Sequence, residues 1–211
     1  MSGIFASQGA AELTTAAVLV LSAGLSAAMS VRCLKRRNRP LLFWSAGLWL
    51  FTFGALLELM FAGNIYSSFA AKAYLLVAAV LVGTLALGSI QLSKSSRIRK
   101  GYYLFFILSS AFLVYSLLTT SVGNLLVDYV VAAPIPAQII LASSVITLPA
   151  AAVLVVFAYK SYKARRDPRF LSIIVGVIAV SAAGGLYIVQ YPSFLYIAEV
   201  AGILLLWYGF L

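Results

Sequence analysis

Residues Leu41–Met60 read LLFWSAGLWLFTFGALLELM. A helix crosses the hydrocarbon core of a bilayer in about 20 residues, and this run has that length with a single ionisable side chain, Glu58. Just before it stands the most basic segment of the chain, Arg32–Arg39, RCLKRRNR. An apolar run, a basic flank and an isolated carboxyl recur along the sequence. Together they predict an all-α polytopic membrane protein.

The composition supports the same class. Of the 211 residues 64% are hydrophobic and only 9% are charged, against about 25% charged in soluble domains. A water-soluble fold of this size would have to build its surface from apolar side chains.

Seven runs are long enough to span: Leu13–Val31, Leu41–Ala62, Ala71–Leu92, Gly101–Thr120, Gln138–Tyr159, Phe170–Val189 and Ser193–Leu211. The fourth has an open extension to Leu126, and Pro149 is expected to kink the fifth because it lacks an amide hydrogen. The connection between the fourth and fifth runs carries Asn124, Asp128, Pro134 and Pro136. It is expected to lie along the membrane surface. No linker or second domain interrupts the pattern, so residues 1–211 are read as one seven-helix bundle.

The charges give a topology. Arg32, Lys35, Arg36, Arg37 and Arg39 follow the first run; Lys94, Arg97, Arg99 and Lys100 follow the third; Lys160, Lys163, Arg165, Arg166 and Arg169 follow the fifth. Only Lys72 falls on the other side. By the positive-inside rule the basic side is cytoplasmic, which puts the N-terminus outside and the C-terminus inside. The bases follow the first run rather than precede it, the reverse of a cleavable signal peptide. A multi-pass protein of a prokaryotic cell membrane fits this pattern. The net charge of +10 comes from three short runs and not from a continuous basic face, so nucleic acid is not an expected partner. The bilayer is, and a homo-oligomer or other membrane subunits remain open.

Histidine is absent and Cys33 is the single cysteine. That removes the commonest general base, the commonest metal and haem ligand and any internal disulfide. No enzyme activity, cofactor or metal is expected. A retinal pigment needs a lysine in its last helix, and none stands in Ser193–Leu211.

Ionisable groups inside a membrane segment are costly, about 2.5–3.5 kcal/mol for a central Asp on insertion scales, and mark functional sites by default. Glu58 and Glu199 are the two candidates. At about 100° per residue, Gly47, Gly54 and Glu58 share one helix face, and Tyr196, Glu199 and Gly202 share another. Both carboxyls fall in the outer half of the predicted topology, with Glu12 and Lys72 at similar depth. The candidate site is therefore an outward-facing acidic pocket: Glu58 and Glu199 bind a proton or cation, Lys72 is the counter-charge, and Tyr196 lines it with Tyr66, Tyr74, Tyr187 and Tyr191. The competing reading is a structural hydrogen-bonded carboxyl within an ordinary interfacial aromatic belt. Spaced small residues such as Ala79 and Gly83, or Ala198 and Gly202, fit close helix packing or contact with another subunit. The hydroxyls of Ser109, Ser116, Thr120, Ser143, Ser144 and Thr147 are expected to bond backbone or a neighbouring helix, the alternative being a polar path for transport.

Two functions stay open. One is a carrier or channel for a small solute, protons or cations. The other is a non-catalytic accessory subunit, or a sensory or scaffold module, of a larger membrane complex. The topology is directly testable. In a Cys33→Ala background, a membrane-impermeant maleimide added to intact cells is expected to label Ser121→Cys and to spare Ser96→Cys; the opposite pattern reverses the orientation.

Overall fold

The computed structural model describes residues 8–124, 126–127, 130–131, 135–186 and 192–210, with the side chains at 8, 10, 126–127, 130–131, 180–186 and 192–199 outside the description. Seven helices follow one another among these residues: α1 (Gln8–Arg36), α2 (Arg39–Ala62), α3 (Ser68–Ile90), α4 (Ser96–Thr119), α5 (Ala137–Arg165), α6 (Arg169–Leu186) and α7 (Pro192–Phe210). Each coincides with one apolar run. Five of them, α1 to α5, are long and apolar enough to cross a membrane, and α6 and α7 contain shorter apolar stretches.

The helix ends differ from the apolar runs in instructive ways. α1 continues through Arg36 and α5 through Arg165. Arginine and lysine are good helix formers, and their stems carry the charge to water while the backbone stays helical. α4 stops at Thr119 instead of reaching Leu126. Beyond it two short strands, β1 (Leu126–Val127) and β2 (Val130–Val131), pair antiparallel, a local ladder that the apolar pattern did not announce. Pro149 lies within an uninterrupted α5.

Side chains satisfy the orphan amides at three helix starts. Asn38 Oδ1 accepts from the Leu41 amide at 3.0 Å, Ser67 Oγ from Ala70 at 3.0 Å and Ser95 Oγ from Ile98 at 3.5 Å. Only Arg37 and Asn38 separate α1 from α2, and Arg37 takes a left-handed φ of 43° to reverse the chain.

Six helices form a closed ring of neighbours in the order α1, α2, α3, α5, α6, α7 and back to α1, while α4 packs outside it against α3 and α5. The middle of the ring is filled by Leu25, Leu48, Leu85, Leu154, Ile203 and Leu206, among others. A second apolar core joins α2, α3, α4 and α5 around Phe61, Tyr74, Leu113 and Ile139. Large apolar side chains such as Leu13, Val20, Leu104, Ile107, Leu118 and Leu148 remain exposed on the outside. Such a surface suits lipid and not water.

The basic connections gather at one end. There Arg32 Nη1 donates to the Phe210 carbonyl at 2.7 Å, Gln91 Nε2 donates to Tyr103 Oη at 2.9 Å, and the rings of Trp44 and Phe210 meet at 5.5 Å. α7 is tied to α1 a second time by Trp207 Nε1 on the Leu21 carbonyl at 3.0 Å, and to α6 by Ser172 Oγ on the Leu205 carbonyl at 2.6 Å.

The α2–α3 seam shows why glycine is needed. A Cβ on Gly88 would strike the Trp44 indole and lie 3.0 Å from the Pro40 carbonyl, and one on Gly47 would press Leu85 at 2.7 Å. At Gly54 the nearest neighbour, Val77, would stand at an ordinary 3.7 Å. Gly88→Ala is therefore expected to cost about 1–3 kcal/mol through overpacking, read as a lowered melting temperature in detergent. Gly54→Ala is expected to leave that temperature within experimental error.

Candidate functional site

The α2–α3 seam runs in antiparallel register from the basic end to the opposite one. Trp44 meets Gly88, Gly47 meets Leu85 and Gly54 meets Val77. The next step along both helices brings Glu58 to Tyr74, and the Tyr74 hydroxyl donates to Glu58 Oε1. The stripe of Gly47, Gly54 and Glu58 thus faces α3. Tyr74 is buried and Glu58 is half-buried.

Aromatic rings pack beside Tyr74. Phe61 lies edge-on to Tyr74 at 5.9 Å and tilted to Tyr66 at 5.9 Å. Tyr66 Oη donates to the Gly123 carbonyl at 2.6 Å, so the segment after α4 is tied to the α2–α3 turn. The turn itself is compact: the Gly63 amide donates to Leu59 at 3.0 Å, and Asn64 takes a left-handed φ of 60°. Asparagine tolerates that region better than most residues.

A carboxyl in apolar surroundings persists only where hydrogen bonds offset its lost hydration. The phenol of Tyr74 does so as a neutral donor. A phenol donor brings no formal charge of its own to the carboxyl. Among the described residues no three His, Cys, Asp or Glu side chains converge.

The other expected site residues are distributed as follows. Lys72 is half-buried near the start of α3, about 200° round the helix from Tyr74, and among the described residues no ion pair joins it to Glu58. Glu199 and Tyr196 stand on the backbone of α7, with their side chains outside the described residues. Tyr187, Tyr191 and Asp128 also lie outside the described residues. Helix α7 contacts α1, α1 contacts α2 and α2 contacts α3.

A polar seam between α1 and α2 went unread in the sequence. Ser26 Oγ and Thr52 Oγ1 lie 3.0 Å apart, Ser30 Oγ and Ser45 Oγ 2.8 Å apart, and Trp49 Nε1 donates to Ser30 Oγ at 2.9 Å. The signal was available: Thr15, Ser22, Ser26 and Ser30 recur at spacings of seven and four, which is one helix face. The hydroxyls singled out on α4 bond their own backbone, Ser109 to the Phe105 carbonyl at 2.6 Å and Ser116 to the Phe112 carbonyl at 2.9 Å. That is the packing role expected of them.

Comparison with protein-family models, with curated proteins and with solved structures found no match to this chain.

Proposed function

We propose that this multi-pass membrane protein is a carrier for protons or small cations, with Glu58 as the exchanging group. The observation that supports the reading most is the Glu58 carboxyl held by the Tyr74 phenol at the end away from the basic connections. With that basic end facing the cytoplasm, Glu58 opens to the outside. Glu199, with Tyr196 on the same face of α7, is a second exchanging position, and Lys72 supplies positive charge at the same level. The ring interior is packed with leucine and isoleucine, which suits a carrier that alternates its access better than a continuously open channel. No bond-making chemistry is assigned to the protein, and the cell membrane is its proposed location.

Reconstituted into proteoliposomes, the wild type is expected to move protons or rubidium down an imposed gradient. Glu58→Gln is expected to fall to the level of empty vesicles with an unchanged melting temperature. Tyr74→Phe is expected to slow transport by about tenfold, the worth of one hydrogen bond to a charged group. Normal flux in the glutamine variant removes Glu58 from the mechanism.

A second reading, an accessory subunit of a larger complex, draws on α4. That helix lies outside the ring and exposes Leu104, Ile107, Leu108, Tyr115 and Leu118, a face that a partner helix can cover. Gentle extraction from native membranes followed by intact-mass measurement decides between the two. Stable masses containing other chains support the subunit reading, and a chain that runs alone or with its own copies supports the carrier.

A further inference from the structure

At the basic end α2 and α4 stand on either side of α3, and an aromatic contact bridges them. The rings of Phe43 and Tyr103 meet edge-on at 5.8 Å, and Gln91 at the end of α3 donates to the Tyr103 hydroxyl at 2.9 Å. One helical turn before each ring stands an arginine: Arg39 precedes Phe43 by four residues, and Arg99 precedes Tyr103 by four. Residues four apart share a helix face, so both guanidinium-bearing positions lie over the bridged rings, toward the basic end. Lys100 adjoins them, exposed.

Among the described residues no acidic side chain accompanies this positive charge. The first turns of α2 and α4 hold no acidic residue, although a helix start favours negative charge. Of the five acids in the chain only Asp167 belongs to a basic-side connection, and its Oδ1 is engaged by the Arg169 amide at 2.9 Å. The C-terminal carbonyls of α3, one of the negative dipole ends on this side, are taken by the amides of Gln91, Leu92 and Ser93. Toward the membrane the same two helices expose Leu42 and Leu104. Charge above and apolar surface below match one molecule: a phospholipid with a net negative headgroup.

We propose that Arg39 and Arg99 form a discrete site for the phosphate of an anionic phospholipid, with the Phe43–Tyr103 pair as its floor and the acyl chains running down the outside of α2 and α4. Guanidinium groups suit this role because they grip phosphate through two donors at once. The site is distinct from the diffuse attraction of all fourteen bases to an anionic leaflet. It is also independent of the chemistry at Glu58.

The test is native mass spectrometry of the purified full chain in mild detergent, titrated with dioleoyl phosphatidylglycerol or dioleoyl phosphatidylcholine. The wild type is expected to hold one saturable phosphatidylglycerol that phosphatidylcholine and millimolar inorganic phosphate do not displace. Arg39→Gln or Arg99→Gln is expected to weaken it about five-fold each, and the double variant about twenty-five-fold. Arg165→Gln with Arg166→Gln, which removes equal charge from the same end, is expected to change it less than about two-fold. Equal losses in the two double variants, displacement by free phosphate, no saturable adduct on the wild type, or a second copy of the chain in place of lipid each overturns the site. Should the Arg39/Arg99 double variant fail to fold, the Arg99→Gln single variant and the wild-type titration carry the decision.

Discussion

Hydrocarbon offers no partner to a peptide amide or carbonyl, and the rest of this structure follows from that fact. The chain meets it with helices whose connections are kept to a few residues wherever they can be, as at Arg37–Asn38. Once the helices exist, the hydrophobic effect no longer drives them together, because a lipid tail is as apolar as a leucine. Close fit must do so. That is why the α2–α3 seam alternates glycine with bulky side chains, and why the indole nitrogens of Trp44, Trp49 and Trp207 all find acceptors on a neighbouring helix. Hydroxyls with no such neighbour bond the carbonyl four residues back, as Ser109 and Ser116 do.

The candidate site is the end of the same seam. Nothing special is required to bring Glu58 to Tyr74 beyond the register that the glycines impose higher up. A shift of one turn in that register would present Glu58 to Val77 or Ala78 in one direction and to Ala70 or Ala71 in the other, none of which has a side-chain donor to offer. Packing along α2 and α3 and the hydrogen bonding of the carboxyl are thus one problem with one solution. The ring of Phe61 then packs edge-on against Tyr74 and helps to hold the phenol in place.

Much of this was legible in the sequence because the bilayer makes length and charge decisive. The seven helices, the gathering of the basic connections at one end and the α3-facing stripe through Glu58 could all be argued from single segments. The partner of Glu58 could not. Tyr74 was one of five tyrosines at that level, and choosing it requires the fit of glycines on one helix to side chains on another. Every helix does touch the next in sequence, as connections of a few residues imply, but the further contact of α3 with α5, which leaves α4 outside the ring, does not follow from connection length. The cue was composition: α3 carries small residues on every side, at Ala71, Ala73, Ala78, Gly83, Ala86 and Gly88, while α4 beyond Gly101 has no glycine and is bulky nearly all round. The ladder of β1 and β2 left no cue, since two residues per strand are too few for alternation to register.

The exclusion of α4 from the ring bears on how the protein is made. During synthesis α1, α2 and α3 can associate as each leaves the translocation machinery, since each contacts the one before it. α5 must then reach past a helix already in the membrane to lie beside α3. The ring closes last, when the Trp207 indole and the Arg32 guanidinium join the two ends across the Leu21 and Phe210 carbonyls. Until then α1 and α6 lack the neighbour that stands between them in the finished ring.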